Sequence, residues 1–332
     1  MPGVSGEKLF TTNSWGLRGE EFNPDQEVRI LAIGGSTTEC LYLDDSETWT
    51  AITQQILHKE TGKRVWVGNA GRSGKTALEH LFHIRFLPQQ YPKIDFALFL
   101  VGVNDLAIRL NLPNDKDFIA HENPVKALPK SFLVFPASFG LGYGEQQLRL
   151  IQLFVRAKNA FRSVFYKSSY IQDRVGNALE LGRKNRSDAS SYEDSVPNIN
   201  LGLKIYRQHI KDIAQEARAQ GIEPIFMTQP FMWRADLPES EKKLLLFGAV
   251  GVFSMNSEQR YYSIEALAFA MNQYNTELLS TCDDLRLHCL DLANLTPKSS
   301  EAFYDDVHFN ENGARLVARE VSSLIKPLIH PK

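Results

Sequence analysis

The chain alternates between short apolar runs and longer amphipathic stretches. The short apolar runs predict buried strands, because strands covered on both faces need not alternate polar and apolar residues: Val28–Gly34, Arg64–Gly71, Phe96–Gly102, Pro224–Gln229 and Leu287–Leu292. The stretches with helical spacing predict helices: Glu47–Glu60, Lys75–Leu87, Gly202–Gln220, Ile264–Leu279 and Asn310–Ile325, with Pro327 just past the end of the last. This alternation predicts a parallel sheet with helices on both faces and right-handed crossovers.

One long segment interrupts the alternation. Residues 106–200 separate the third strand from the helix leading into the fourth, a distance much longer than an ordinary connection. We therefore expect a discontinuous core, residues 11–105 and 201–328, with residues 106–200 as an insertion or cap. Its polar tract 183–198 is predicted to be a mobile linker. A smaller excursion spans Phe231–Tyr262.

Within the insertion, Glu145–Tyr166 predicts an amphipathic helix with apolar residues along one side and basic residues elsewhere. Such a helix can lie on a membrane surface, and it can equally pack on the sheet domain or on a second copy of the chain. We favour packing over membrane contact. The aromatic stretch Phe132–Tyr143 is expected to line an acyl or sugar pocket or to form the core of the cap.

Composition narrows the class of protein. The 332 residues include 37 basic and 39 acidic ones, a formal net charge of −2, so nothing in the overall charge indicates a nucleic-acid partner. Apolar residues make up 43% and charged residues 23%, values typical of a globular protein. Cys40, Cys282 and Cys289 are too few for a disulfide framework, although Cys282 and Cys289 could pair in an oxidising compartment.

The compartment stays open at this stage. No run approaches the roughly 18 apolar residues of a membrane span, and Met1–Asn13 lacks the apolar stretch of a signal peptide. We therefore expect a soluble protein, cytoplasmic as written, or extracytoplasmic if a segment had been removed. The oligomeric state cannot be read from the sequence.

Polar residues follow the predicted strands, where parallel sheets bind ligands. They form four blocks, Gly34-Gly35-Ser36-Thr37-Thr38, Asn69-Ala70-Gly71, Gly102-Val103-Asn104-Asp105 and Asp305-Asp306-Val307-His308. A serine nucleophile needs a base, histidine suits that task near neutral pH, and a carboxylate can orient the imidazole. Backbone N–H groups and a side-chain amide can stabilise an oxyanion. Together the blocks predict acyl-transfer chemistry.

The four blocks, in this order, resemble those of the SGNH (GDSL) hydrolase superfamily. The resemblance implies a three-layer α/β/α sandwich with a five-stranded parallel sheet, the flavodoxin-like SGNH hydrolase fold. It implies that Ser36 is the nucleophile, His308 the base and Asp305 its orienting partner. The N–H groups of Ser36 and Gly71 and the amide of Asn104 would form the oxyanion hole. The resemblance implies no metal and no cofactor.

The first block departs from the sequence that gives the family its name. Gly35 stands where Asp is usual, and Thr37 replaces Leu. The nucleophile is kept, so the open question is what braces the serine loop without that carboxylate.

Three further patterns admit other interpretations. Asp306 would replace Asp305 as the partner of His308 if the loop turned differently. Gly74-Lys75-Thr76 is similar to the end of a phosphate-binding loop, but Asn69 stands where the first glycine is required, which leaves a nucleotide-binding protein as a remote alternative. His80 and His83 offer only two metal ligands, and Cys40 is most simply a small core residue.

The leading hypothesis is a serine esterase that removes a short acyl group, such as acetyl, from an alcohol or saccharide. Met232 and Trp233 follow the fourth strand and are expected to contribute to the substrate pocket. The alternatives are an inactive accessory module that binds polysaccharide and an O-acyltransferase that uses the same triad.

Overall fold

The structure, a computed structural model, describes residues 4, 8–91, 93–132, 179–251 and 259–329. Its main sheet contains five parallel strands, β1 (Val28–Gly34), β2 (Val65–Asn69), β3 (Phe96–Leu100), β5 (Glu223–Met227) and β7 (His288–Leu290), in the order β2-β1-β3-β5-β7. These are the predicted strands: β1 has the predicted limits, β5 begins one residue earlier and ends two residues sooner than predicted, and the others lie within their predicted runs. The α/β class and the five-stranded parallel sheet are confirmed.

The helices that flank the sheet form two groups. On one side α2 (Trp49–Thr61) packs on α12 (Glu311–Ile329), and on the other α3 (Ala77–Phe86) packs on α8 (Asn200–Ala219), which packs on α10 (Ile264–Leu285). The strand order explains the division: the chain moves one way from β1 to β2 and the other way from β2 onward. Right-handed crossovers in opposite directions lie on opposite faces. The reversal occurs between β1 and β3, the position where open sheets bind ligands.

The remaining elements are short. They are α1 (Ser36–Glu39), α4 (Val103–Asn111), α5 (Asp115–His121), α6 (Pro124–Ser131), α7 (residues 179–187), β4 (Tyr192–Glu193), α9 (Glu239–Lys242), β6 (Tyr261–Tyr262) and α11 (Leu292–Leu295). β4 and β6 pair in parallel as a second, two-stranded sheet.

The core lies on both faces of the main sheet. The side chains of Ile30–Ile33 in β1 are completely buried, as continuous apolar runs require. The end of α10 is joined to β7 by a disulfide between Cys282 and Cys289. No helix among the described residues has the length and apolar character needed to cross a membrane.

Two sequence expectations about boundaries differ from the structure. α12 does not stop before Pro327 but continues to Ile329, because Ile325 and Ile329 lie one turn apart and are both buried. This burial offsets the hydrogen bond that a proline cannot donate. Similarly, α4 crosses the expected start of the insertion at residue 106, since Leu106 and Leu110 are buried in the main core.

The predicted linker 183–198 contains regular structure. It begins inside α7 and includes β4, and two of its arginines are anchored. The Arg183 guanidinium donates to the carbonyl oxygens of Leu244 and Tyr304, and that of Arg186 donates to those of Phe247 and Tyr262. The polar composition of this segment indicated exposure to solvent. In the structure, however, its two arginine side chains donate hydrogen bonds to backbone carbonyls of other segments. The predicted helix 145–166 and all of the aromatic stretch after Phe132 lie outside the described residues.

Candidate active site

The serine lies at the sharp turn between β1 and α1. β1 ends at Gly34, Gly35 caps the helix, and Ser36 is the first helical residue. A buried parallel strand delivers the serine to the carboxyl edge of the sheet, and the helix turns the chain away immediately. Ser36 remains partly exposed there, while its neighbours on both sides are buried.

His308 and Asp305 reach Ser36 from the loop before α12. The Nε2 atom of His308 lies 2.7 Å from Oγ of Ser36. Its Nδ1 atom lies 2.8 Å and 3.0 Å from the two carboxylate oxygens of Asp305. The structure therefore brings a hydroxyl, an imidazole and a carboxylate into one hydrogen-bonded chain, with residues 272 positions apart at its first link.

The loop geometry holds Asp305 in the ionised form. Asp305 is almost completely buried, and its Oδ1 atom accepts hydrogen bonds from the backbone N–H groups of Val307 and His308. Burial raises the pKa of this carboxyl, but His308 and these donors outweigh burial, so the pKa is lowered. Asp305 is thus an acceptor that fixes the imidazole with its Nδ1–H directed inward.

The His308 imidazole is partly exposed, and its pKa is raised. Its side chain is 23% exposed, so a substrate can reach Nε2. Burial lowers its pKa, but the charge and hydrogen bond of Asp305 act in the opposite direction and raise the pKa above 6.5 overall. The Tyr304 ring lies parallel to the imidazole, with ring centroids 5.6 Å apart, and supports it from one side.

Asp306 occupies a different position from Asp305. Its Oδ1 atom accepts from Trp233 Nε1 at 2.7 Å, and its Oδ2 atom accepts from the N–H groups of Leu246 and Phe247. All of these contacts lead away from His308 towards the 231–247 loop. Of the two adjacent aspartates, it is therefore Asp305 that contacts the imidazole.

The three expected oxyanion donors are not equivalent in the structure. The Ser36 N–H donates to no other group among the described residues, and one N–H of Asn104 Nδ2 donates to the Lys75 carbonyl at 2.8 Å, which leaves its second N–H. The N–H of Gly71, in contrast, donates to Oδ1 of its neighbour Asn69 at 2.9 Å. A Cβ atom on Gly71 would lie 2.2 Å from the backbone N of Glu39, so this glycine packs against α1.

Gly74 is a candidate donor that the sequence interpretation did not consider. It has a φ of +77°, open space around its Cα, and an N–H that donates to no other group among the described residues. The next residue is Lys75, whose carbonyl accepts from the Asn104 amide, so Gly74 directly precedes the residue that holds this amide. Gly74 belongs to the sequence Gly74-Lys75-Thr76, which the sequence analysis compared only with a phosphate-binding loop and not with an oxyanion hole.

Comparison with known proteins agrees with this geometry. The profile of the GDSL-like lipase/acylhydrolase family matches residues 32–316, which is most of the chain. The chain belongs to the GDSL-like lipase/acylhydrolase family. The family assigns acylhydrolase activity to this chain, and the resemblance inferred from the four sequence blocks is confirmed. No curated protein matches.

Two solved structures are similar to this chain at low identity. The acetylxylan esterase Axe2 from Geobacillus stearothermophilus is 13% identical with a TM-score of 0.49, covering 92% of this chain and 96% of that one. A putative G-D-S-L lipolytic protein from Desulfitobacterium hafniense is 14% identical with a TM-score of 0.44, covering 90% and 99%.

A carboxylate that sequence inspection overlooked braces this GDSL-type serine turn. Glu39, the last residue of α1, is buried, and its Oε2 atom accepts from both the backbone N–H and the hydroxyl of Ser73. Burial raises its pKa, and the Ser73 donors oppose that shift. Glu39 therefore joins the serine helix to the 71–74 turn, although Gly35 replaces the usual Asp.

The expected substrate contacts at Met232 and Trp233 require correction. Both side chains are completely buried, and Trp233 packs between Phe231 and Phe247 while donating to Asp306. They follow a strand end, as expected, but the chain then folds back over them. Their position makes them supports of the Asp306 loop rather than walls of an accessible pocket.

The other sequence candidates are structural residues. His80 and His83 are buried, their Nδ1 atoms lie 3.4 Å apart, and His83 Nε2 contacts the Ser131 carbonyl at 2.7 Å. Burial lowers the pKa of His80 to about 3, so it is neutral. Across the part of the chain that the structure describes, no group of three or more His, Cys, Asp or Glu residues is arranged to hold a metal. Cys40 is a buried free thiol.

Proposed function

We propose that this acylhydrolase is a serine ester hydrolase that removes a short acyl group, such as acetyl, from an alcohol or saccharide. The observation that supports it is the continuous hydrogen-bonded chain from Ser36 Oγ through the His308 ring to Asp305. The saccharide acceptor is proposed by family analogy.

In the proposed cycle, Ser36 Oγ attacks the ester carbonyl carbon while His308 Nε2 takes the hydroxyl proton. The resulting oxyanion accepts hydrogen bonds from the Ser36 N–H, the Gly74 N–H and the second N–H of Asn104. Asp305 stabilises the imidazolium without taking a proton. The C–O bond to the alcohol then breaks, and His308 returns its proton to that leaving oxygen.

The second half of the cycle repeats these roles with water. His308 Nε2 removes a proton from a water molecule, whose oxygen attacks the acyl carbon of the acyl-enzyme. Collapse of the second oxyanion breaks the bond to Ser36 Oγ, which recovers its proton from His308. The free acid and the resting enzyme result. If another alcohol replaced water in this step, the same residues would catalyse acyl transfer.

The proposal is tested by replacing Ser36 and measuring hydrolysis of p-nitrophenyl acetate. Ser36→Ala is expected to reduce turnover to the background level, while far-ultraviolet circular dichroism shows the fold intact. Ser191→Ala, at an exposed serine between α7 and β4, is the matched control and should retain turnover. A Ser36→Ala enzyme with wild-type turnover would refute the nucleophile assignment.

Two further measurements separate the alternatives. A fluorophosphonate probe should label Ser36 in the wild-type protein and not in Ser36→Ala, whereas an inactive accessory module would not react. Product analysis in the presence of competing alcohols should show free acid as the main product. A predominance of acylated alcohol would replace hydrolysis by acyl transfer.

A further inference from the structure

Arg72 lies within the loop that forms one side of the proposed oxyanion hole. Its backbone is fixed: its N–H donates to the Gly34 carbonyl at 2.9 Å, and its carbonyl accepts from the Lys75 N–H. Gly34 precedes the serine turn directly, and Gly74 is two residues further on. The position of the Arg72 backbone is therefore set by the same contacts that assemble the active site.

The side chain of Arg72, which is partly buried, differs from those of the three fully buried arginines. Arg18 donates to Asp45 and to four backbone carbonyls, Arg109 donates to Asp115 and to two carbonyls, and Arg186 donates to two carbonyls. The Arg72 guanidinium makes no hydrogen bond or ion pair with any described residue, and its Nε atom is buried without an acceptor. The fold thus pairs the three fully buried guanidinium groups and leaves the buried Nε atom of this one without an acceptor.

Nearby groups do not supply the missing acceptor. Burial disfavours the charged form of Arg72, and the Glu39 carboxylate is the nearest compensating charge, but Glu39 already binds Ser73. A buried cationic donor without an acceptor costs free energy. An anion that completes the guanidinium would recover this cost, and a planar guanidinium matches an oxyanion geometrically.

An exposed aromatic surface adjoins the same region. The Trp15 side chain is 42% exposed, and its ring packs on Tyr91 with centroids 4.9 Å apart. Tyr91 also feels the positive charge of Arg72, which opposes the rise in its pKa that burial causes. The backbone N–H of Trp15 donates to Asn13 Oδ1 at 3.0 Å, so the loop that carries this ring is anchored. An exposed ring therefore packs on Tyr91, and the charge of Arg72 acts on the same tyrosine, a combination that suits a sugar ring bearing an acidic group.

We propose that Arg72 binds an oxyanionic group, a carboxylate or a phosphate, on the alcohol part of the ester, so that the enzyme prefers acylated acidic saccharides. The inference rests on the proposed esterase function, because it assigns a substrate class to that site. Arg72 then contributes to specificity: it binds the part of the substrate that leaves as the alcohol, and Trp15 packs against the ring that carries it.

The test compares three O-acetylated sugars that differ in one group: a neutral methyl hexoside, the matching hexuronide and the matching hexose phosphate. The wild-type kcat/KM is expected to be about 10- to 100-fold higher for at least one anionic ester than for the neutral one, mainly through KM. Whichever anionic ester is preferred identifies the carboxylate or the phosphate as the recognised group. The preference should weaken as salt is added.

Variants separate a binding role from a structural one. Arg72→Gln should reduce the ratio of anionic to neutral kcat/KM to about one, and Arg72→Lys should restore part of it. Arg64→Gln, at an exposed arginine beside the opposite end of β2, is the control and should keep the wild-type ratio. If Arg72→Gln does not fold, the wild-type enzyme still tests the proposal, because its ratio of anionic to neutral kcat/KM must fall as salt is added.

The outcomes distinguish this inference from the proposed function. If p-nitrophenyl acetate is hydrolysed but the wild-type enzyme shows no preference for either anionic ester, the role of Arg72 is refuted and the esterase proposal stands. A preference that survives in Arg72→Gln would also refute it. If no ester is hydrolysed, the esterase proposal itself fails.

Discussion

A Cβ atom on Gly35 would lie 2.4 Å from Nδ2 of Asn104. The family usually has Asp at position 35, and in this chain the absence of a side chain allows the Asn104 amide to lie directly against the serine turn. The departure from the family sequence therefore has a structural counterpart: bracing moves to Glu39, and the amide that is proposed to stabilise the oxyanion takes up the space beside Gly35.

Gly35→Ala is accordingly expected to displace the Asn104 amide. Loss of one oxyanion donor typically costs about 2.7–4 kcal/mol of transition-state stabilisation, so kcat for p-nitrophenyl acetate should fall by about 10²–10³-fold with little change in KM. A double-mutant cycle provides the control: in an Asn104→Ala background, Gly35→Ala should have almost no further effect on kcat. Additive losses would show that Gly35 acts independently of the amide.

The two glycines of the 71–74 turn should respond differently to alanine. A Cβ on Gly71 meets the backbone of Thr38 and Glu39, which cannot move without moving Ser36, so Gly71→Ala should lower both the unfolding midpoint and kcat. A Cβ on Gly74 meets open space, but the positive φ is strained for alanine by roughly 1–2 kcal/mol.

Gly74→Ala should therefore fold with a small loss of stability and show a lower kcat, because relief of the strain rotates the N–H that is proposed to bind the oxyanion. Urea unfolding and steady-state kinetics on the same samples measure both effects. Unchanged kcat in a folded Gly74→Ala enzyme would argue against Gly74 as a donor.

The pH dependence of kcat/KM should report His308. The imidazole must be neutral to accept the serine proton, and Asp305 raises its pKa above 6.5 despite burial. Activity should therefore be lost as the pH falls through a value above 6.5, rather than at the lower pH that burial alone would give. The profile is measured with p-nitrophenyl acetate after subtraction of spontaneous hydrolysis. An acid limb centred well below pH 6.5, or no acid limb, would contradict this assignment.

Substitutions of the two adjacent aspartates should separate catalysis from stability. Asp305→Asn removes the acceptor for His308 Nδ1–H and should lower kcat by about 10⁴-fold, with a smaller effect on unfolding. Asp306→Ala leaves the donors of Trp233, Leu246 and Phe247 without an acceptor, at about 1–3 kcal/mol for each buried group, so it should mainly lower the free energy of unfolding. The reverse pattern in kinetics and chemical denaturation would exchange the roles of the two residues.

Much of the fold could be predicted because it depends on local pattern. The run Val28–Gly34 is apolar except for Arg29, and the structure makes it the buried strand β1 with the same limits. Each of the other strands of the main sheet also lies within or near its predicted run, since a strand covered on both faces is mostly apolar. The order of polar blocks after these strands was sufficient to indicate the family.

Other features depended on contacts between residues distant in sequence. Local polarity indicated a mobile linker at residues 183–198, but Arg183 and Arg186 are held by carbonyls more than 60 residues away. The position after a strand favoured Met232 and Trp233 as pocket residues, and only the path of the following loop shows that they are buried. The N–H of Gly71 is occupied because it donates to the Asn69 side chain, which leaves Gly74 as the glycine with an available N–H.

By itself, then, the sequence determined the strands, most of the flanking helices and the identity of the residues that can perform acyl transfer, because hydrophobic periodicity and side-chain chemistry are local properties. Only the tertiary structure decided that Asp305 rather than Asp306 faces His308, that Glu39 braces the serine turn and that the Arg72 guanidinium has no acceptor among the described residues. Those outcomes depend on where distant segments place their hydrogen-bonding groups, and no local pattern encodes that.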